Sequence, residues 1–122
     1  MRIGGTVAAL ALAVCAGSAA ADEAACVAIE DMKIEVTNLL SATVVPAAGD
    51  LPAYCRVLGY VRPAINFEIR LPAEGWNGKF YMAGCGGFCG NVLADSGGFI
   101  NAINYALARD YAVATMDGGH WG

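Results

Sequence analysis

The chain has 122 residues, 57% of them hydrophobic and 15% charged, with a formal net charge of −4. That length holds one domain at most. The seven basic residues are scattered rather than clustered, which excludes a phosphate-gripping nucleic-acid surface, and so apolar a composition excludes a disordered tail.

Taken from the amino end, Arg2 supplies a positive start and Ile3 to Ala16 an apolar stretch, and Ala19-Ala20-Ala21 offers a small-residue cleavage site ahead of Asp22. This is the layout of a secretory signal peptide over residues 1–21; a short membrane anchor is the weaker alternative, because the apolar part is short and lacks basic stop-transfer flanks. The expected mature chain is exported, to the periplasm or the medium, carries one more unit of negative charge, and has no membrane contact after cleavage. Cys15 leaves with the leader, while Cys26, Cys55, Cys85 and Cys89 remain. Four cysteines in an oxidising compartment allow three pairings, of which Cys26–Cys55 with Cys85–Cys89 is favoured. The first pair closes a loop of about 30 residues; the second must bend sharply through the glycines between its members. A zinc site from Cys85, Cys89, Asp117 and His120 is the rival reading, but it lacks a recognised ligand spacing.

Residues Asp31 to Val45 are rich in β-branched side chains and predict one or two strands. Pro46 to Pro52 reads as a loop and Cys55 to Val61 as a strand. Over Ile65 to Leu71, Ile65, Phe67, Ile69 and Leu71 alternate with Asn66, Glu68 and Arg70, the period of a strand that buries its apolar face and exposes the other. Pro72 ends it, and Glu74-Gly75-Trp76-Asn77-Gly78 makes a turn that predicts a hairpin. Phe80 to Ala83 and Tyr111 to Met116 are continuous apolar runs, expected in strands covered on both faces. Between them come a glycine-rich stretch, Gly84 to Gly90, and a helix over about Gly97 to Arg109. Ile100, Ile103 and Leu107 share one face of that helix, Asp95 or Ser96 caps it, and Arg109 suits its negative end. Strand, glycine turn, helix and strand make a βαβ unit. The fold class is therefore α/β: antiparallel strands leading into a parallel sheet with its first crossover helix. One helix cannot cover both faces of a parallel pair, so the sequence reads as a fragment or truncated frame.

Two segments are suited to chemistry. Gly84-Cys85-Gly86-Gly87-Phe88-Cys89-Gly90 follows a buried strand, where glycine lets a ligand approach main-chain N–H groups. It lacks the Lys-Ser/Thr of a phosphate loop and the third glycine of a dinucleotide turn; an oxyanion hole between strand and first helix, or a purely structural turn, remains. Asp117-Gly118-Gly119-His120 follows the second apolar run, at the strand end where parallel sheets bind ligands. Asp117 and His120 there form either an acid–base pair or, the favoured reading, a turn braced by hydrogen bonds to the main chain. Asp95-Ser96-Gly97-Gly98 looks like a trypsin-type nucleophile box, but the sole histidine, His120, lies downstream, against the His-Asp-Ser order that chemistry needs. No G-x-S-x-G elbow occurs in these residues.

Taken in order, Cys55-Arg56-Val57 with Gly59, Ile65-x-Phe67-x-Ile69-x-Leu71-Pro72, Trp76-Asn77-Gly78-Lys79-Phe80, Gly86-Gly87-Phe88-x-Gly90 and Asp117-x-Gly119-His120 resemble the amino-terminal part of the tannase and feruloyl esterase family. The likeness spans about residues 26 to 122. It implies an incomplete α/β-hydrolase fold over 22–122, cut before the nucleophile elbow, in a secreted serine esterase that acts on aromatic-acid esters such as galloyl, feruloyl or terephthalate monoesters. By resemblance Gly86, Gly87 and Phe88 form the oxyanion-hole turn, with Gly87 the best single donor. Asp117 and His120 are scaffolding near the site, and Cys26 and Cys55 lie in the family's amino-terminal disulfide region. The triad, the lid and the lid's structural calcium lie outside these residues, so no cofactor or metal is expected here, the partner is a small aromatic ester, and the piece alone is expected to be inactive. Cys85 and Cys89 flanking the Gly-Gly-Phe core depart from the family pattern. The competing class is a small exported binding or structural domain held by two disulfides. Nothing in the sequence sets an oligomeric state.

Overall fold

The computed structural model describes residues 17–84, 90–92 and 102–119. A single mixed sheet of five strands organises them: β1 (Thr37–Val45), β2 (Tyr54–Val61), β3 (Ile65–Pro72), β4 (Phe80–Ala83) and β5 (Ala112–Met116), in the spatial order β1-β2-β3-β5-β4. The first three strands and β5 pair antiparallel, whereas β4 and β5 are parallel. Helix α1 (Gly17–Val27) and a 3-10 turn (Ala28–Asp31) precede the sheet, and a short helix α2 (Asn104–Leu107) precedes β5. Among the described residues no helix is long and apolar enough to cross a membrane.

Two apolar clusters form on the sheet. In one, Cys26, Ala42, Cys55 and Val57 are buried, with Ile29, Leu39, Ile69 and Leu71 packed against them. The Cys26–Cys55 disulfide, with a Cα–Cα distance of 5.6 Å, ties α1 to β2 within this cluster. The Ala21–Asp22 bond of the expected cleavage lies inside α1, and Cys26 is on its carboxyl side. The other cluster joins Ile103, Ala106 and Leu107 to Tyr54, Ala83 and Val113. Ile103 and Leu107 are wholly buried, as their spacing on one helical face requires. Of the helix expected over 97–109, residues 97–101, including Ile100, lie outside the described residues, as do Asp95 and Ser96; the described helical part is one turn. Arg109 closes it by donating from Nη1 to the Tyr105 carbonyl at 2.8 Å.

Four sequence expectations are corrected. The strand expected from Asp31 begins only at Thr37, because Ala28–Asp31 is a 3-10 turn and Val36 takes a positive φ of 54° ahead of the strand. No hairpin joins β3 to β4: β5 enters between them and takes β3's free edge, pairing Phe67 with Met116 and Arg70 with Val113. The turn after β3 instead aligns the parallel pair. Asn77 donates to the carbonyls of Asp110 and Arg109 at 3.0 and 2.7 Å, and the Ala112 N–H donates to the Lys79 carbonyl at 3.1 Å. Third, the described residues do not cover β4 on both faces. It is the sheet's edge strand, with Phe80 60% exposed and Tyr81 and Met82 also exposed, and only Ala83 is buried. The fourth correction concerns β3, whose polar side is the more deeply buried. Glu68 and Arg70 are 2% and 1% exposed, while Ile65, Phe67, Ile69 and Leu71 are half-buried. Alternation separates the two faces of a strand; charge pairing decides that the polar one can go inside.

Candidate functional site

Parallel pairing brings the carboxyl ends of β4 and β5 to one edge of the sheet. Ala83 stands opposite Thr115, so Gly84, where the glycine-rich segment starts, is next to the end of β5 and Asp117. Because β3 runs antiparallel to β5, its amino-terminal Asn66 lies at the same edge. In open α/β sheets ligands bind in the crevice beyond such carboxyl ends.

Asp117 is 1% exposed and does two things at that edge. It locks β5 to β3: its Oδ1 accepts from the Asn66 backbone N–H at 3.1 Å and its Oδ2 from Asn66 Nδ2 at 2.6 Å. The return bond runs from the Asp117 N–H to the Asn66 carbonyl at 3.1 Å. It also closes the turn that follows, accepting the Gly119 N–H at 2.8 Å. Gly118 and Gly119 take φ of 77° and 87°, and a Cβ on Gly119 would stand 3.1 Å from Cγ1 of Ile65. Burial alone would raise the Asp117 carboxyl, but the hydrogen bonds from Asn66 and Gly119 outweigh it and hold the pKa below the usual value of 3.8. So engaged, the carboxylate braces the 117–119 turn and ties it to β3. His120 lies outside the described residues, and so do Gly86, Gly87, Phe88, Cys85 and Cys89 with the Cys85–Cys89 pairing. Of the alternative zinc set only Asp117 is described, and among the described residues no group of three His, Cys, Asp or Glu could hold a metal ion.

Beside Asp117, on the α2 side of the sheet, lies a charged network that the alternation in β3 leaves hidden. Arg56 on β2 and Arg70 on β3 are directly opposite partners, an arrangement of like charges that is repulsive by itself. Glu68 resolves it. Arg56 donates from Nε and Nη2 to both Glu68 oxygens at 2.9 Å, and Arg70 donates from Nε to Oε1 at 2.8 Å. Arg70 also donates to Asn104 Oδ1 at the start of α2 and lies over the Tyr54 ring, 5.1 Å from its centroid. The bidentate bond to Glu68 is the main cause that raises the Arg56 pKa above its ordinary value, against the lowering effect of burial. Thr115, opposite Glu68, is fully buried, and its hydroxyl has no partner among the described residues. The sequence signal for this network is three polar residues at i, i+2 and i+4 on one strand face, with a further arginine on the preceding strand.

Comparison with known proteins assigns the chain. The family described as "Tannase and feruloyl esterase" matches residues 47–122. The chain is 40% identical over 115 residues to an uncharacterized esterase of Xanthomonas campestris pv. campestris, covering 83% of this chain and 19% of that protein. It is 35% identical to the mono(2-hydroxyethyl) terephthalate hydrolase of Piscinibacter sakaiensis, covering 82% of this chain and 20% of the relative. The chain thus spans about a fifth of the length of these relatives. Among solved structures it superposes on feruloyl esterase B from Aspergillus oryzae with a TM-score of 0.67 at 24% identity, over 83% of this chain and 23% of that one. An esterase from the same organism gives 0.66 at 20% identity, over 82% of this chain and 23% of that structure. These likenesses establish the fold as an incomplete α/β fold of the kind those esterases have. The mixed sheet, the glycine-rich exit from β4 and the residues matched are those of one lineage: this chain belongs to the tannase and feruloyl esterase family.

Proposed function

We propose that the protein is an exported carboxylic ester hydrolase that cleaves aromatic-acid esters by serine acyl transfer, and that residues 22–122 supply one wall of its active site. A serine encoded outside these residues attacks the ester carbonyl, the carbonyl oxygen becomes an oxyanion, the alcohol leaves, and water hydrolyses the acyl-enzyme. In this reading the N–H of Gly87, within the Gly86-Gly87-Phe88 turn, donates to the oxyanion. The Asp117 turn is scaffolding that fixes the neighbouring strand end.

The observation that carries the reading is the juxtaposition of Gly84 with the Asp117 edge in a chain of an esterase family. Aromatic-acid esters are favoured as substrates by the names of the relatives, a terephthalate monoester hydrolase and a feruloyl esterase. Export is supported by the leader-like start at Arg2 to Ala21 and by the Cys26–Cys55 disulfide, a bond that persists in oxidising compartments. In this reading the attacking serine comes from outside residues 22–122, so those residues alone are expected to be inactive.

Purified full-length protein assayed on methyl ferulate, methyl gallate and p-nitrophenyl acetate tests this. The expected result is turnover of at least one aromatic-acid ester, abolished by a serine-directed fluorophosphonate, with kcat lowered by about 10²–10³ when Gly87→Pro removes the donor. Hydrolysis confined to the acetate would refute the substrate class, and turnover by residues 22–122 alone would refute the assignment of the nucleophile.

A further inference from the structure

The edge of the charged network opens into a cavity of about 330 Å³, lined by Arg56 and Glu68 together with Leu58, Asn91, Val92 and Asp117 among others. The side chain of Arg56 is 40% exposed, whereas Glu68 and Arg70 are closed off, so Arg56 is the face this network presents outward. Glu68 engages Nε and one hydrogen of Nη2, and among the described residues Nη1 of Arg56 has no acceptor. A guanidinium has five N–H donors in a fixed fork, so the edge carrying Nη1 can still take a planar oxyanion through two parallel hydrogen bonds.

Three features set the class of ligand. Arg56 is clamped by two bonds to Glu68 and so has little rotamer freedom left to lose on binding. Two guanidinium groups share the one Glu68 carboxylate, which leaves the outer one attractive to an anion. Asp117 adds negative charge to the same cavity, although its oxygens are engaged by Asn66 and Gly119. That disfavours a polyanion such as phosphate and leaves a monoanion. The apolar side chains of Leu58 and Val92 suit a hydrocarbon body.

We propose that this cavity is a carboxylate site, in which the free edge of Arg56 holds a monocarboxylate whose apolar part rests against Leu58 and Val92. The proposal does not depend on the esterase reading, since it concerns equilibrium binding and not turnover. The probe is sodium benzoate, titrated calorimetrically into the full-length protein, with acetate and neutral benzamide as controls. Saturable benzoate binding is expected, with benzamide at least about tenfold weaker for want of the charge and acetate weaker for want of the ring. Arg56→Gln leaves Glu68 paired with Arg70 and is expected to weaken benzoate roughly tenfold to hundredfold. Val92→Trp, which fills the cavity while leaving every charged residue in place, is expected to weaken it as well, and near-UV circular dichroism checks that both variants stay folded. Equal affinity for benzoate and benzamide, or unchanged benzoate affinity in folded Arg56→Gln, would overturn the proposal. So would the absence of saturable benzoate binding.

Discussion

Replacing Glu68 by Gln separates the worth of a buried charge from that of an exposed one within a single network. The substitution keeps the shape and removes the charge that two arginines share. For Arg70, 1% exposed, the loss removes the carboxylate partner of a buried cation, a change that costs about 3–5 kcal/mol when one partner of a buried pair is removed. Hydrogen bonding to Asn104 and the Tyr54 ring offset part of this and place the expectation near the lower end, about 3 kcal/mol. Arg56 contributes little to that sum. Its side chain is 40% exposed, solvent screens it, and pairs of that kind contribute at most about 1 kcal/mol. Arg56→Gln should therefore be mild, Glu68→Gln severe, and the double variant Glu68→Gln with Arg70→Met should recover most of the loss, because no buried charge is left unpaired. The assay is urea unfolding of the full-length protein followed by intrinsic fluorescence, comparing the four midpoints. A Glu68→Gln cost no larger than that of Arg56→Gln would refute the claim that the α2 side of the sheet is a true interior, and with it the inverted reading of β3.

Three further outcomes follow from named geometry. Reducing the Cys26–Cys55 bond, or replacing both cysteines by serine, should destabilise the protein by about 3–4 kcal/mol for a loop of this length, visible as a lower Tm with reductant than without. Because the folded Asp117 carboxyl is held below its unfolded value of 3.8, its contribution is fully present above about pH 4 and is lost as pH falls through the lower, folded pKa; thermal melts of Asp117→Asn should accordingly show a lower Tm near neutrality and a shallower acid decline than the parent. Gly59→Ala should cost about 1–3 kcal/mol, since the added Cβ would stand 2.5 Å from Cζ of Phe67 and 2.7 Å from the Asn38 carbonyl oxygen. Adding Phe67→Leu should not restore stability, because the backbone oxygen cannot be trimmed; full rescue would show that the ring alone excludes a side chain there.

How far the sequence carries the fold can be judged strand by strand. Tyr54–Val61 and Ile65–Pro72 emerge within a residue or so of where β-branched content and alternation put them, because both signals are local. What alternation cannot say is which side faces in. The compensating partners of Glu68 and Arg70 sit 12 residues away at Arg56 and 34 away at Asn104. The hairpin expectation failed for the same reason: a turn at Glu74–Gly78 is a local property, whereas the insertion of β5 beside β3 depends on residues some 45 positions later. At the site, Asp117 was legible because it ends an apolar run, but Asn66, which holds it from another strand, carries no signal of its own. The glycine turn is an expectation from its motif, and its residues 85–89 lie outside the described part of the chain.

The placement of β5 between β3 and β4 also fixes an order of events during synthesis. When β3 leaves the ribosome, β1 and β2 can already zip against one side of it, but its other side has no mate until Ala112–Met116 is made. Throughout that interval Phe80–Ala83 has no neighbour either, since its parallel companion is the same late segment. One five-residue stretch therefore closes two open edges at once. Disturbing it, for example by a proline at Ala114, would hold both strands in an unpaired, self-associating state, so that the damage would show first as aggregation of nascent chains rather than as a modest drop in melting temperature.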